Sequence, residues 1–377
     1  MKIKKKIVFL TGTRADFGKL RPLIEIIENS EQFECHIFVT GMHTLSRYDF
    51  TYREIQKRNY KNIFVFMNQT DTVSSDIILA NTIKGFNNFI KEISPDMIVI
   101  HGDRLEALAG AIVGSFNNIL VSHIEGGELT GTIDESIRHA VSKLSHLHFV
   151  SNDNAKKRLV QMGELEEHVF TIGSPDIDIM MSKDLPSKEE LNQYYDIPFK
   201  NYAILIFHPV TTELKNLENQ TKELISAAID SKKNYVVIYP NNDPGSDIIL
   251  KTYEQFQNNK SFRIYPSLRF EYFLTLLKNT DFIIGNSSSG ITEAEIYNIP
   301  TINVGTRQKN RSNNKNIINV VSNKGKILDA ILKIDGKKIQ TSCEFGDGES
   351  TKRFFEVMTD KKNWEIPIQK YFVETKQ

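Results

Sequence analysis

The chain has 377 residues, with 47 Lys and Arg balancing 47 Asp and Glu for a net charge of zero. At roughly 100–200 residues per domain, this length predicts two domains, each able to bury a sizeable core. A zero balance argues against a general nucleic-acid binder, which carries a basic excess. No apolar run reaches the ~18 residues of a membrane span. The opening MKIKKKIVFLTGTR sets lysines before an apolar run, but Ile7 to Leu10 is too short for a secretory signal and runs into a glycine turn. It reads as a first strand, and a cytoplasmic location is expected. The two cysteines, Cys35 and Cys343, are far apart and show no CxxC spacing. They are expected as reduced core thiols of a cytosolic protein, not as a disulfide or metal pair.

A strand at Lys5–Leu10 precedes a helix-like Phe17–Asn29. Strands at Cys35–Val39 and Ile63–Met67 follow, then a long helical Ser74–Ile93 and a strand at Asp96–Ile100. Helical Leu105–Phe116 leads to strand Ile119–Ile124, and helical Asp134–Ser145 to strand Leu147–Val150. Strands separated by helices of this length predict βαβ units and a mostly parallel sheet. Their near-continuous apolar runs suit strands covered on both faces. Around Met180–Lys200 the pattern weakens into a polar connection with prolines at 186 and 198 and a short helix. A second series begins at Tyr202–Phe207 and continues through Tyr235–Tyr239, Phe262–Tyr265, Asp281–Ile284 and Thr301–Val304. The expected architecture is α/β, with two Rossmann-like doubly wound domains at 1–180 and 200–350. A charged helical tail, 351–377, is expected to pack back on the first domain.

Open α/β sheets bind ligands at the carboxyl ends of their strands, so the residues just after each strand are the candidates. Gly12–Lys19 follows the first strand; its glycine turn, helix N-terminus, Arg14 and Lys19 suit an anionic ligand such as phosphate. It is neither GxGxxG nor a P-loop, and an ordinary turn with solvated charges is the alternative. His101-Gly102-Asp103-Arg104 ends one strand and Glu125-Gly126-Gly127-Glu128 the next. Asp103 and Glu125 can share a cleft as proton-transferring acids; a structural ion pair to Arg104 or Arg138 is the alternative. Asp134 reads as a helix-dipole partner. His208 ends a strand and can bind or protonate a leaving phosphate, or serve structurally. Ser288, Ser289 and Gly290 at a predicted helix opening make a diphosphate cradle, with Glu293 one turn on placed to hold ribose hydroxyls; a serine cap is the alternative. His146-Leu147-His148 lacks a nearby third ligand, so no metal is assigned. No nucleophile elbow is present.

GTRADFGKL (12–20), HGDRLEALAG (101–110), HIEGGELTGTIDESIRHAVSKLSH (123–146), GSPDID (173–178), FHPVTTE (207–213), YPNND (239–243) and GNSSSGITEA (285–294) together resemble the hydrolysing UDP-N-acetylglucosamine 2-epimerases of bacterial sialic-acid synthesis. The resemblance spans nearly the whole chain. It implies a GT-B-like pair of Rossmann domains with the active site between them, and conversion of UDP-N-acetylglucosamine and water to N-acetylmannosamine and UDP. It matches Asp103, Glu125, Glu135 and His208 to catalytic positions, and Arg14, Lys19, Ser288, Ser289, Gly290 and Glu293 to UDP-binding ones. It implies a nucleotide-sugar substrate, no cofactor, no nucleic-acid or membrane partner, and a homodimer or homotetramer. Non-hydrolysing relatives carry GTRPE, HGDT and EAGLRTG where this chain has GTRAD, HGDR and EGGELTG; these departures favour hydrolysis. A neighbouring branch acts on UDP- or GDP-linked N,N′-diacetylbacillosamine, and these motifs do not separate it. A GT-B glycosyltransferase, a non-catalytic nucleotide-sugar sensor and a non-hydrolysing epimerase are the rival readings.

Overall fold

The computed structural model describes residues 4–70, 73–130, 132–182, 185–256, 258–308, 315–334, 346–371 and 373–374. Cys343 lies outside them. The chain divides into two compact units, one of 1–128, 134–181 and 344–377, the other of 129–133 and 182–343.

The first unit runs β1 (Lys5–Thr11), α1 (Arg14–Glu28), β2 (Phe33–Val39), α2 (Tyr52–Gln56), β3 (Ile63–Val65), α3 (Ser75–Ile93) and β4 (Met97–His101). It continues with α4 (Leu105–Phe116), β5 (Leu120–Ile124), α5 (Ile133–Leu144), β6 (Leu147–Val150), α6 (Asp153–Gln161), β7 (Val169–Thr171) and α7 (Pro175–Met180). Among the described residues the sheet order is β3-β2-β1-β4-β5-β6-β7, and every pairing is parallel. Alternation along β1 and β4 sends Ile7, Phe9, Met97 and Val99 into one core cluster and Val8, Leu10, Ile98 and Ile100 into the other. Both faces are thus buried, which is why these strands read as unbroken apolar runs. Cys35 is buried in the first cluster, and burial pushes its thiol pKa up.

The second unit runs α8 (Lys188–Tyr195), β8 (Ala203–Ile206), α9 (Leu214–Asp230), β9 (Tyr235–Ile238), α10 (Ser246–Tyr253), β10 (Phe262–Tyr265) and α11 (Phe270–Lys278). Then come β11 (Ile283–Gly285), α12 (Glu293–Ile296), β12 (Thr301–Val304), β13 (Ile317–Val320) and α13 (Lys324–Lys333). Its described strands are ordered β10-β9-β8-β11-β12-β13, again all parallel. Ser187 caps α8 in a reciprocal capping box with Glu190, which fixes the short helix expected in the polar connection. Among the described residues no helix is long and apolar enough to cross a membrane.

α14 (Ser350–Thr359) belongs to the first unit. The Asp178 carboxylate accepts from the backbone N–H groups of Ser350 at 3.0 Å and Thr351 at 2.7 Å, satisfying two donors at the helix start. Phe354 and Met358 are fully buried in the first core cluster, with the Phe354 ring 4.9 Å from that of Phe149. Trp364 stacks on Phe33 at 5.8 Å.

Several elements depart from the periodicity. α1 starts at Arg14, three residues before the expected Phe17, because the Thr13 side chain accepts from the Asp16 N–H and caps it there. β7 and β13 carry no clear sequence signal: β7 has three residues, and β13 is half exposed at the sheet edge. The expected helix opening at Ser288–Gly290 is a 3-10 turn, followed only by the four-residue α12. The anion cradle read there therefore rests on turn N–H groups and hydroxyls, without the dipole of a long helix.

Candidate active site

In a sheet of order 3-2-1-4-5, the strand order reverses beside β1, and the carboxyl ends of β1 and β4 flank that switch point. The Gly12–Lys19 turn, His101–Arg104 and Glu125 all emerge there. β4 and β5 are direct neighbours, with His101 opposite Ile124. Asp103 and Glu125 accordingly follow adjacent strands, the condition for their sharing a cleft.

Glu125 is the hub. It takes a left-handed backbone conformation, φ 59°, uncommon for a residue with a side chain. Two bonds hold it there: its N–H donates to the Phe149 carbonyl at 2.8 Å, and Arg138 Nη1 donates to its carbonyl at 2.7 Å. Its carboxylate accepts from the Ser174 hydroxyl and pairs with Lys19 Nζ at 3.3 Å. His101 Nε2 lies 3.0 Å from Glu125 Oε2, and His101 Nδ1 lies 2.9 Å from Asp16 Oδ1. Asp16 in turn accepts from the Thr11 hydroxyl at 2.7 Å and the Gly12 N–H at 3.0 Å. Lys19 also meets Asp176 at 3.3 Å.

These contacts set the charges. Burial favours the neutral Glu125, but Lys19, His101 and Ser174 outweigh it and hold the carboxyl well below its ordinary range. Burial would likewise discharge His101, but the Asp16 and Glu125 carboxylates against its two nitrogens raise it to about 9. Burial lowers the nearby His43 and His123 to about 3 each, outweighing the pull of Asp16 on His43 and of the Gly102 carbonyl on His123. His123 Nε2 lies 2.8 Å from the Gly102 carbonyl, so the neutral ring carries its proton on Nε2 and supports the turn before Asp103.

A pH dependence follows. His101 binds its proton more tightly folded than unfolded, so its contribution is complete below about pH 6.5 and is lost as pH rises through about 9. Glu125 has the opposite sign, contributing above the ordinary value of 4.5 and losing that as pH falls. The His101 shift corresponds to about 3 kcal/mol. Thermal melts between pH 6.5 and 9 should show falling stability in the wild type and a flatter profile in His101→Gln. Parallel profiles would reject this assignment.

The other predicted residues fall as follows. Asp103 is ion-paired with Arg138, the pairing weighed as its structural alternative, and Arg138 links it to Glu125 through the carbonyl bond. Glu135 lies in the first turn of α5, with Oε1 3.5 Å from His139 Nε2. Arg14 makes a bidentate pair with Glu54 at 3.0 and 2.8 Å. Lys19, read from sequence as an anion binder, faces Glu125 and Asp176. The 146–148 histidines take separate partners: His146 Nε2 reaches the Ile368 carbonyl and His148 Nε2 reaches Glu164. Sequence reasoning missed Asp16, Ser174 and Asp176 as members of this cluster.

In the second unit the switch point lies at β8 and β11, which are paired. His208 follows β8, and 286–290 follows β11. Asn286 ties them: its Oδ1 accepts from the His208 N–H at 2.6 Å and its Nδ2 donates to the His208 carbonyl at 2.9 Å. The His208 Nδ1 accepts from the Asn241 N–H at 3.0 Å, which leaves the proton of the neutral ring on Nε2. That tautomer presents a donor suited to a phosphate oxygen. Ser287 accepts from the Ser289 N–H at 3.3 Å, while Thr301 donates to the Gly290 carbonyl at 2.6 Å. Glu293 is buried and accepts from the Thr292 hydroxyl.

Two parallel-sheet units of this order, with polar residues gathered at the strands' carboxyl ends, define an α/β protein of two Rossmann-like domains in the GT-B-like class. A family model described as UDP-N-acetylglucosamine 2-epimerase matches residues 25–359, and the chain belongs to that family. A Neisseria meningitidis serogroup B protein named UDP-N-acetylglucosamine 2-epimerase is 48% identical over 98% of this chain and 99% of its own. A Legionella pneumophila protein named UDP-N,N′-diacetylbacillosamine 2-epimerase (hydrolyzing) is 36% identical over 94% and 95%. The crystal structure of the Methanocaldococcus jannaschii UDP-GlcNAc 2-epimerase in complex with UDP-GlcNAc and UDP shares the fold, with a TM-score of 0.77 at 21% identity, covering 94% of this chain and 99% of that one.

Proposed function

We propose that this chain is a hydrolysing UDP-N-acetylglucosamine 2-epimerase that releases N-acetylmannosamine and UDP, the entry step to sialic acid. The observation that carries this reading is the Asp16–His101–Glu125–Lys19 cluster beside the Asp103–Arg138 pair. It supplies charged carboxylates and a protonated imidazole at the strand ends, as proton transfer at a sugar carbon requires. The family and the Neisseria relative support the nucleotide sugar; the Legionella relative's name supports hydrolysis.

The C2 proton of the sugar is weakly acidic, so its removal is coupled to loss of UDP from C1. A carboxylate takes that proton, the C1–O bond breaks with its electron pair leaving on UDP, and a 2-acetamidoglucal results. Water then adds its hydroxyl to C1, and an acid returns a proton to C2 from the opposite face. Asp103, Glu125 and Glu135 serve these transfers. His208, Ser288, Ser289 and Gly290 receive the diphosphate, Arg14 and Lys19 add positive charge, and Glu293 holds the ribose. Cations and N–H groups on the leaving diphosphate supply the main electrostatic stabilisation. This reading carries with it a cytoplasmic homodimer or homotetramer.

NMR of the reaction in D₂O tests it. The expected products are free UDP and N-acetylmannosamine bearing deuterium at C2. UDP-N-acetylmannosamine without free UDP would assign the non-hydrolysing reaction, and an untouched substrate would leave a binding protein. The name of the Legionella relative favours a second reading, with UDP-N,N′-diacetylbacillosamine as substrate. Parallel incubation with that sugar decides between them by turnover.

A further inference from the structure

Both ring nitrogens of His101 face carboxylate oxygens, Nδ1 at 2.9 Å and Nε2 at 3.0 Å. The Nε2 contact is a hydrogen bond and the Nδ1 contact a close charge contact outside hydrogen-bond geometry; a neutral imidazole would set a bare nitrogen lone pair against one of the two carboxylates, and the imidazolium would not. The geometry is therefore that of a protonated ring clamped between Asp16 and Glu125. The ring is held away from solvent, with only 11% of its side chain exposed. Asp16 is itself anchored by Thr11 and the Gly12 N–H, so the clamp has a fixed far end. Behind it, His43 bonds Thr11 at 3.2 Å and Thr51 at 2.7 Å.

The surrounding charges agree. From α1 come Asp16 and Lys19, and from α7 comes Asp176, paired with Lys19. From α5, Arg138 is occupied by Asp103 and by the Glu125 carbonyl. Lys19 and His101 thus face three carboxylates, Asp16, Glu125 and Asp176, a balance that retains the ring's proton. A cation at Glu125 also makes that carboxylate a weak base but keeps a proton within reach of it.

We propose that His101 stores the proton that Glu125 delivers, with Asp16 as the anchor of the store, so that Glu125 is the proton-donating carboxylate and His101 its positioning residue. This rests on the epimerase reading above. In the step, the His101 Nε2–H bond breaks, its electron pair stays on nitrogen, and the proton joins Glu125 Oε2. Glu125 then gives that proton to the sugar C2 as water adds its hydroxyl to C1. The second proton of that water refills the store. The neutral ring keeps its proton on Nδ1, facing Asp16 Oδ1, throughout. No oxidant or reductant is involved.

Two measurements on the full chain test it. Histidine-labelled NMR of the wild type, with the His101 signal assigned by its loss in His101→Gln, should show an imidazolium at pH 7. Asp16→Asn should lower its titration. A neutral His101 ring at pH 7 overturns the proposal, whatever reaction the protein performs. In the second, turnover of UDP-N-acetylglucosamine is followed against pH. The wild type should hold its kcat until the store empties near pH 9, while His101→Gln leaves Glu125 to carry its own proton and loses activity through the carboxylate range. At pH 8 its kcat should be at least ~100-fold lower, with KM within about threefold. An unmoved alkaline limb in His101→Gln overturns the proposal. If His101→Gln fails to fold, Asp16→Asn carries both measurements, the His101 signal then being the one whose titration it lowers and the same limb being moved partway. Absence of UDP release by the wild type would overturn the epimerase reading alone, because the NMR titration decides the store independently.

Discussion

Glu125→Gln is expected to lower turnover by about 10²–10⁴-fold while leaving the fold and UDP affinity close to wild type. The factor is that of losing a positioned acid or base. The amide keeps the volume of the carboxylate, so no cavity opens. Its oxygen can still accept from Ser174, and the backbone bonds to Phe149 and Arg138 are untouched. What it cannot do is carry a charge or a mobile proton. Lys19 keeps Asp176 as a partner at 3.3 Å, so it is not stranded. His101 loses one of its two anions and retains Asp16. The stability cost is therefore about 1–3 kcal/mol, as for one altered member of a buried polar network. Rates from a coupled UDP assay, calorimetric UDP titration and a thermal melt check these three parts. Wild-type turnover would remove Glu125 from the reaction.

Gly285→Ala is expected to unfold the second unit or cost it at least about 3 kcal/mol. Gly285 ends β11 with φ 131°, where side chains are strained. A Cβ there would lie 1.8 Å from the Ile206 carbonyl oxygen and 2.6 Å from its carbon. These are backbone atoms of β8, registered directly opposite, so nothing flexible can yield. The next residue's N–H donates to that same oxygen at 3.1 Å, and Asn286 in turn holds His208 by two bonds. The substitution should thus disturb His208 together with the sheet. Chemical denaturation and UDP binding of the variant measure both; wild-type values for either would contradict the close approach.

Much of the architecture was legible because buried parallel strands leave unbroken apolar runs. Leu105–Phe116 and Leu147–Val150 appear with the expected bounds. The candidate site was legible only in part. Strand ends single out Asp103, Glu125 and His208, since the carboxyl edge of a doubly wound sheet is where ligands bind. Apart from Arg138, offered as the ion-pair alternative for Asp103, the partners were not legible, because ion pairs form across the fold. Arg14 and Lys19 look like phosphate ligands beside a βα turn; the fold supplies Glu54 to one and Glu125 with Asp176 to the other. Ser174 lies 49 positions from Glu125, and no local spacing announces that bond. The GSPDID segment was the available signal for Ser174 and Asp176, since a serine, proline and acid opening a short helix at a strand's end present side chains at the same edge. β7 and β13 escaped because so few residues, half exposed, leave no period to read.

The return of α14 to the first unit has a consequence for biosynthesis. Phe354 and Met358 pack beside Phe149 and are translated only after the whole of residues 182–343. Until then residues 1–181 hold an open, greasy seam, so this half matures after its neighbour has been translated, not before. Severing the two halves at the polar connection would consequently yield an amino-terminal fragment lacking its own wedge, and supplying 346–371 as a separate peptide should restore it.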